Sequence, residues 1–179
     1  IAGIEHGERV RLITELYNVY REFHADEKFD KFYFWGEMLL SDFDSIDKYL
    51  IDADILFSNI SELKQIESDL SYITDRQWEV INRFWSVLND DKSPSDHKKR
   101  FLKIWQSLCP IYHRFKARLR ELGIAYGGMI QREAVERIAE SDFVLDDGGA
   151  GYVIAGFNAL STCEKRLFDY LSKNRQTDF

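Results

Sequence analysis

Apolar side chains recur at steps of three and four through most of this chain, and that period leaves stacked helices as the arrangement able to bury them. Val10, Ile13, Leu16, Tyr17, Tyr20 and Phe23 form one such stripe between residues 8 and 23. The longest comprises Phe101, Ile104, Trp105, Leu108, Tyr112, Phe115, Leu119 and Leu122. Its start is written in Ser93-Pro94-Ser95-Asp96: a capping serine, a proline in the first turn and an acid at the third helical position. Pro110 keeps the phase of the stripe but removes a backbone donor, which predicts a kink there. Gly123 supplies the stop.

Shorter helices fill in around these two. Residues 29–40 read as a heavily aromatic helix ending near Ser41. A turn follows, and Ile46, Tyr49 and Leu50 belong to a short helix beyond it. Ser61 to Leu70 is a weaker, polar helix. Thr74-Asp75-Arg76-Gln77 has the spacing of a capping box in front of the stripe Trp78, Ile81, Trp85 and Leu88. Asn89 to Ser93 is a polar loop, and Gly128 to Ala139 carries one more helix on Ile130, Ala134, Val135 and Ile138.

The composition changes after residue 143. Asp146-Asp147-Gly148-Gly149-Ala150-Gly151 reads as a linker, Tyr152 to Ala155 as a short strand, and Ser161-Thr162-Cys163-Glu164 as a capping box opening a helix through Leu171. Strand, glycine turn and helix are half of an α/β unit, with no partner strand evident in the sequence. The expected fold is therefore mainly α: an irregular multi-helix bundle over residues 1–143, then a linker and a strand-helix appendage over 144–179.

With 45% hydrophobic and 31% charged residues, the balance is that of a folded globular chain. No apolar run reaches the length of a membrane span and no basic-apolar leader opens the chain. Ile1 is not a natural start, and Met38 and Met129 are the only methionines, so the chain reads as processed or cut from something longer. Cys109 and Cys163 lie in helical patterns without CxxC spacing and read as packed thiols of a reducing compartment, which makes cytoplasm the expected location.

Two segments stand out as candidate sites. The net charge of −7 argues against coating nucleic acid by overall charge, yet residues 97–120 hold Lys98, Lys99, Arg100, Lys103, Arg114, Lys116, Arg118 and Arg120 and no acid. Excluding every carboxylate from these 24 residues of an acidic protein points to phosphate contact, against the plainer reading of a solvated face. The second segment runs from Trp35 to Leu50. Asp42, Asp44 and Asp47 follow an apolar run, where carboxylates must stay hydrated or find partners. A calcium loop starting at Asp42 would need Gly where Asp47 stands and Glu where Ala53 stands, so capping and partner contacts fit the trio better than a metal cage. Upstream, five of the seven residues from Phe29 to Trp35 are aromatic. They read as core filling rather than base-stacking platforms, with Phe34 the one to watch.

The Trp35–Leu50 phrase and a second one, Gly156-Phe157-Asn158-Ala159-Leu160-Ser161 with Glu164 and Leu167-Phe168, together resemble the helicase-like half of AddB/RexB-type proteins. These are the Bacteroidetes-type PD-(D/E)xK nuclease family within the RecB and UvrD-like proteins of DNA-break processing. The resemblance extends over residues 9–179, and only the two phrases are specific. It implies a helical insert of a UvrD-like ATPase domain with its flanking return. It also implies Asp42, Asp44, Asp47, Gly156 and Asn158 as family-motif positions near the ATPase-like core. For a parent protein it implies ATP and Mg²⁺ as cofactors, a nuclease domain further on and a partner helicase-nuclease subunit. Many such subunits have a helicase half that no longer hydrolyses ATP.

This stretch itself has none of the local catalytic motifs. It lacks the Gly-x-x-x-x-Gly-Lys-Ser/Thr phosphate loop, and none of His6, His24, His97 and His113 follows a Glu by three positions or an Arg by four to six. Those spacings are what helical di-iron sites and the helical HEPN ribonucleases need. Asp26-x-Lys28 matches the tail of a nuclease motif only by coincidence. The histidines read as surface residues. The expected role is a non-catalytic helical part, without cofactor or metal of its own, that contacts DNA weakly and without sequence preference. The rival is a protein-interaction or scaffold module with no nucleic-acid role.

Overall fold

The computed structural model describes residues 4–62, 94–140, 148, 151–157 and 159–178, with the side chains of 59–62 and 94–103 left out. Among these the fold is mainly α. Six helices are present: α1 Arg9–Phe23, α2 Phe29–Lys48, α3 Ala53–Glu62, α4 Pro94–Glu121, α5 Gly127–Ile138 and α6 Thr162–Asn174. Four two-residue strands accompany them: β1 Glu5–His6, β2 Ile124–Ala125, β3 Tyr152–Val153 and β4 Thr177–Asp178. The expected linker of residues 146–151, the helix at Trp78–Leu88 with its capping box, and all but the start of the 61–70 helix fall largely or wholly outside the described residues.

The central parts of the α1 and α4 stripes are buried, while Val10 and Phe23 at the ends of the α1 stripe are exposed and the Phe101 side chain lies outside the described residues. Ile13, Leu16, Val19 and Tyr20 of α1 meet Phe32, Leu39 and Phe43 of α2 and Leu108, Ile111, Phe115 and Leu119 of α4 in one core. Helix α1 packs on α2 and α4, α3 on α4, and α5 on α2. Of the aromatic cluster, Phe32 is buried at 1% exposure while Phe34 stands out at 65%. Tyr33 and Trp35 pack against the core from its margin.

One expectation, about α2, changes. The turn expected after Ser41 is absent, because α2 runs unbroken to Lys48. Its end is set by backbone rather than by glycine: the Leu50 amide donates to the Asp47 carbonyl at 3.0 Å and the Ile51 amide to the Ile46 carbonyl at 2.9 Å. Those two bonds are a Schellman closure, with Leu50 at φ 54 in the left-handed position. Helix α4 is continuous through Pro110, and Gly123 at φ 67 turns the chain out of it.

The strand segments form two separate parallel pairs. β1 lies beside β2 with Glu5 opposite Ile124, so the segment before α1 is fixed to the α4–α5 connection. β3 lies beside β4 with Tyr152 opposite Thr177. The tail strand therefore has a partner within the chain, contrary to the sequence expectation, and β3-α6-β4 closes a small βαβ unit. The partner was hidden because two-residue strands show no alternation to read. The capping box of α6 is present: Ser161 Oγ accepts from the Glu164 amide at 3.2 Å, and Glu164 Oε2 accepts from the Ser161 amide at 2.7 Å. Helix α6 rests on α5 and α2. Among the described residues, no helix is long and apolar enough to cross a membrane.

Candidate functional site

Because α2 stays helical through its acidic phrase, Asp42, Asp44 and Asp47 leave it in different directions and meet different surroundings. Asp42 lies on the exposed side, where partial desolvation raises its carboxyl pKa. Asp44 reaches the start of α5: its Oδ1 accepts from the Gly128 amide at 2.6 Å, and its Oδ2 pairs with Lys48 Nζ at 2.6 Å. A carboxylate at the first turn of a neighbouring helix satisfies an amide with no intrahelical partner and meets the positive end of the helix dipole. The approach is close enough that a Cβ on Gly128 would sit 2.2 Å from the Asp44 carbonyl oxygen, which is why glycine stands there.

Asp47 has no exposed surface. Tyr112 Oη donates to Oδ1 and Tyr126 Oη to Oδ2, each at 2.5 Å. Lys116 Nζ donates to Oδ1 at 2.7 Å and to Tyr112 Oη at 3.0 Å, and Arg132 Nη1 reaches Oδ1 at 3.3 Å. The backbone carbonyl of Asp47 also accepts from Cys163 Sγ at 3.4 Å. Two cations and two phenols thus surround one carboxylate, as a buried charge requires if its desolvation is to be offset. Burial, and then Asp47 itself, pushes both phenol pKa values up. Burial lowers that of Lys116, against the pull of Asp47. Phe115 stacks on Tyr126 at 6.0 Å, and Phe43 meets Tyr112 edge-on at 5.1 Å, so the rings carrying the hydroxyls are held from behind.

The basic segment looks different in three dimensions from how it reads in sequence. Lys116, placed by sequence among the phosphate contacts, is 7% exposed and belongs to the Asp47 network, so it is removed from any surface footprint. Its position, four residues beyond Tyr112 on the buried face of α4, is the reason. Three other cations have internal carboxylates: Arg114 with Glu22 at 3.4 Å, Arg118 with Glu15 at 3.1 Å and Glu121 at 3.5 Å, and Arg120 with Glu133 at 2.8 Å. The acids missing from the segment are supplied by α1, α5 and the end of α4. Lys98, Lys99, Arg100 and Lys103 occupy the first turns of α4, and their side chains are outside the described set.

In the second phrase, Gly156 adopts φ 87, a backbone conformation costly for other residues. Asn158 lies outside the described residues. Phe157 and Phe168 meet edge-on at 5.2 Å.

A further cluster went unnoticed in the sequence. Cys109, read there as a packed thiol, is only half-buried, and its Sγ donates to Asp54 Oδ1 at 3.2 Å. His113 Nε2 lies 3.1 Å from the same oxygen. Desolvation, and then Asp54, raises the Cys109 thiol pKa to about 11. The signal was the Cys-x-x-x-His spacing of Cys109 and His113, one helical turn apart. Of the other histidines, read as surface residues, His6 is exposed, His24 is half-buried and bonds Ser107 Oγ at 2.8 Å, and the His97 side chain lies outside the described residues.

Comparison of the chain with protein-family models, with curated proteins and with solved structures found no match in any of the three.

Proposed function

We propose that this chain is a non-catalytic helical part of a DNA-break-processing, helicase-exonuclease-like protein, and that it contacts DNA weakly through the first turns of α4. The observation that carries this reading is the meeting of the two phrases on which the family resemblance rests. Asp47, from the first phrase, accepts through its carbonyl from Cys163, which stands between Ser161 and Glu164 of the second, and α6 lies on α2. Two segments more than a hundred residues apart thus form one locus, as expected if both mark a single structural junction. The parallel β3-α6-β4 unit beside that junction also fits a return into an α/β core.

In this reading the acidic phrase is an assembly element. Asp47 fastens α2 to α4 and α5, Asp44 sets the start of α5, and neither carboxylate is free to hold a catalytic Mg²⁺. The DNA footprint is narrower than the charge run. With Lys116 buried and Arg114, Arg118 and Arg120 committed to carboxylates, the phosphate contacts belong to Lys98, Lys99, Arg100 and Lys103. Those four support binding without base readout and with strong salt dependence. ATP, Mg²⁺ and a partner nuclease subunit belong to the proposed parent assembly.

The scaffold reading is favoured by one observation. Phe34 and Met38, four residues apart on α2, are 65% and 39% exposed, an apolar spot on an otherwise polar helix face. Fluorescence anisotropy with labelled single-stranded and duplex DNA at low salt separates the two. Saturable binding lost on reversing the charges at the start of α4 supports the DNA role, and its absence transfers the chain to the scaffold class.

A further inference from the structure

From the geometry where α3 crosses α4 we infer a zinc-binding site formed by Asp54, Cys109 and His113, independent of the proposed DNA role. The ligand atoms of these three residues all lie within 4.8 Å of one another. Cys109 and His113 are four residues apart on α4, which places both on one helix face a single turn apart. Asp54 comes from the first turn of α3, whose start is fixed by Asp52 Oδ1 accepting from the Ile55 amide at 2.9 Å. The three donors therefore sit on two packed helices rather than on loops.

The dimensions suit zinc. Bond lengths of about 2.3 Å to sulfur and about 2.0–2.2 Å to nitrogen and oxygen, at tetrahedral angles, separate neighbouring ligand atoms by about 3.4–3.6 Å. The observed separations from Asp54 Oδ1, 3.2 Å to Cys109 Sγ and 3.1 Å to His113 Nε2, need only a few tenths of an ångström of expansion. A thiolate, an imidazole and a carboxylate are a zinc-type donor set, whereas Mg²⁺ and Ca²⁺ require oxygen shells. Asp52 adds a negative charge felt at Cys109. Both helix-borne side chains now share one carboxylate oxygen by hydrogen bonding. A divalent cation would take their place around that oxygen, forming a Zn–S bond as the thiol proton leaves to solvent. With Asp54 and His113 exposed at 75% and 52% of their side chains, the ion has access and the fourth position falls to water. Binding would clasp α3 to α4.

The test is titration of the purified chain with Co²⁺, read by the thiolate charge-transfer and ligand-field bands, followed by competition with Zn²⁺. One ion per chain, a sulfur-to-cobalt band, displacement by Zn²⁺ and indifference to excess Mg²⁺ are expected. Cys109→Ser, His113→Asn and Asp54→Asn should each weaken binding by at least about 100-fold, beyond the usual cost of losing a merely supporting group. Unchanged circular dichroism would show that the variants fold. Zn²⁺ should raise the melting temperature of the parent chain and leave that of Cys109→Ser unmoved. Absence of saturable binding, or binding that survives all three substitutions, would overturn the site.

Discussion

Asp47 shows most directly how a single residue is tied to the fold. Its carboxylate meets Lys116, Tyr112, Tyr126 and Arg132, and removal of one partner from a buried ion pair leaves the other charge uncompensated. Asp47→Asn is expected to destabilise the chain by about 3–5 kcal/mol, a large share of a typical domain's stability, measured by urea denaturation. A second expectation concerns alkaline pH. Tyr112 and Tyr126 have raised pKa values, so in the folded chain they keep protons that unfolded tyrosine loses near pH 10. The stability they supply is complete below about pH 10 and is lost as pH rises beyond it. Lys116 acts oppositely: its pKa is lowered, so its contribution rises with pH until unfolded lysine has titrated, at about 10.4. Above that point the phenols, together with the Cys109 and Cys163 thiols whose pKa values are also raised, make unfolding free energy fall with pH. Tyr112→Phe should flatten that alkaline limb, as denaturation curves between pH 8 and about 11.5 would show.

At the scale of elements, helix contacts depend on a few close approaches. Gly128→Ala would place a methyl 2.2 Å from the Asp44 carbonyl oxygen, forcing α2 and α5 apart at an expected cost of about 1–3 kcal/mol. Gly127→Ala, whose nearest neighbour would be Asp44 Oδ1 at 3.5 Å, should be neutral or slightly stabilising, and thermal melts of the two variants make the comparison. The ion pairs along α4 are weaker ties: Arg118→Ala should change stability little, because the guanidinium is largely hydrated. Much of the helical layout was legible in sequence. The central parts of the α1 and α4 stripes, the capping box at Ser161 and the stop at Gly123 are local patterns that survive into structure, while the ends of the α1 stripe, Val10 and Phe23, face solvent. The unbroken passage of α2 through Ser41-Asp42-Phe43-Asp44-Ser45 was not legible. Polar residues favour turns in isolation, and here Phe43 and Ile46 on the core face together with Asp44 and Asp47 on α4 and α5 outweigh that preference. The fate of Lys116 was hidden for a related reason, since its counter-charge comes from 69 positions away.

For the whole molecule, the helices assemble around one core, with a small βαβ unit leaning on the α2–α5 pair. Along the second half of α4, Lys116 is buried while Arg114, Arg118 and Arg120 are partly exposed and paired with carboxylates, and we place the contact with an anionic partner at its first turns. That division is the central claim. It is tested by anisotropy of labelled DNA with two charge-reversal variants, one replacing Lys98, Lys99, Arg100 and Lys103 by Glu, the other replacing Arg114, Arg118 and Arg120. The parent chain should bind with affinity falling by about 0.9 log units per log unit of salt for each duplex phosphate contact, with roughly three or four contacts. The first variant should lose binding while keeping its helicity. The second should retain binding with reduced stability. Equal affinity of the parent and the first variant, or no measurable binding by the parent at low salt, would contradict the account.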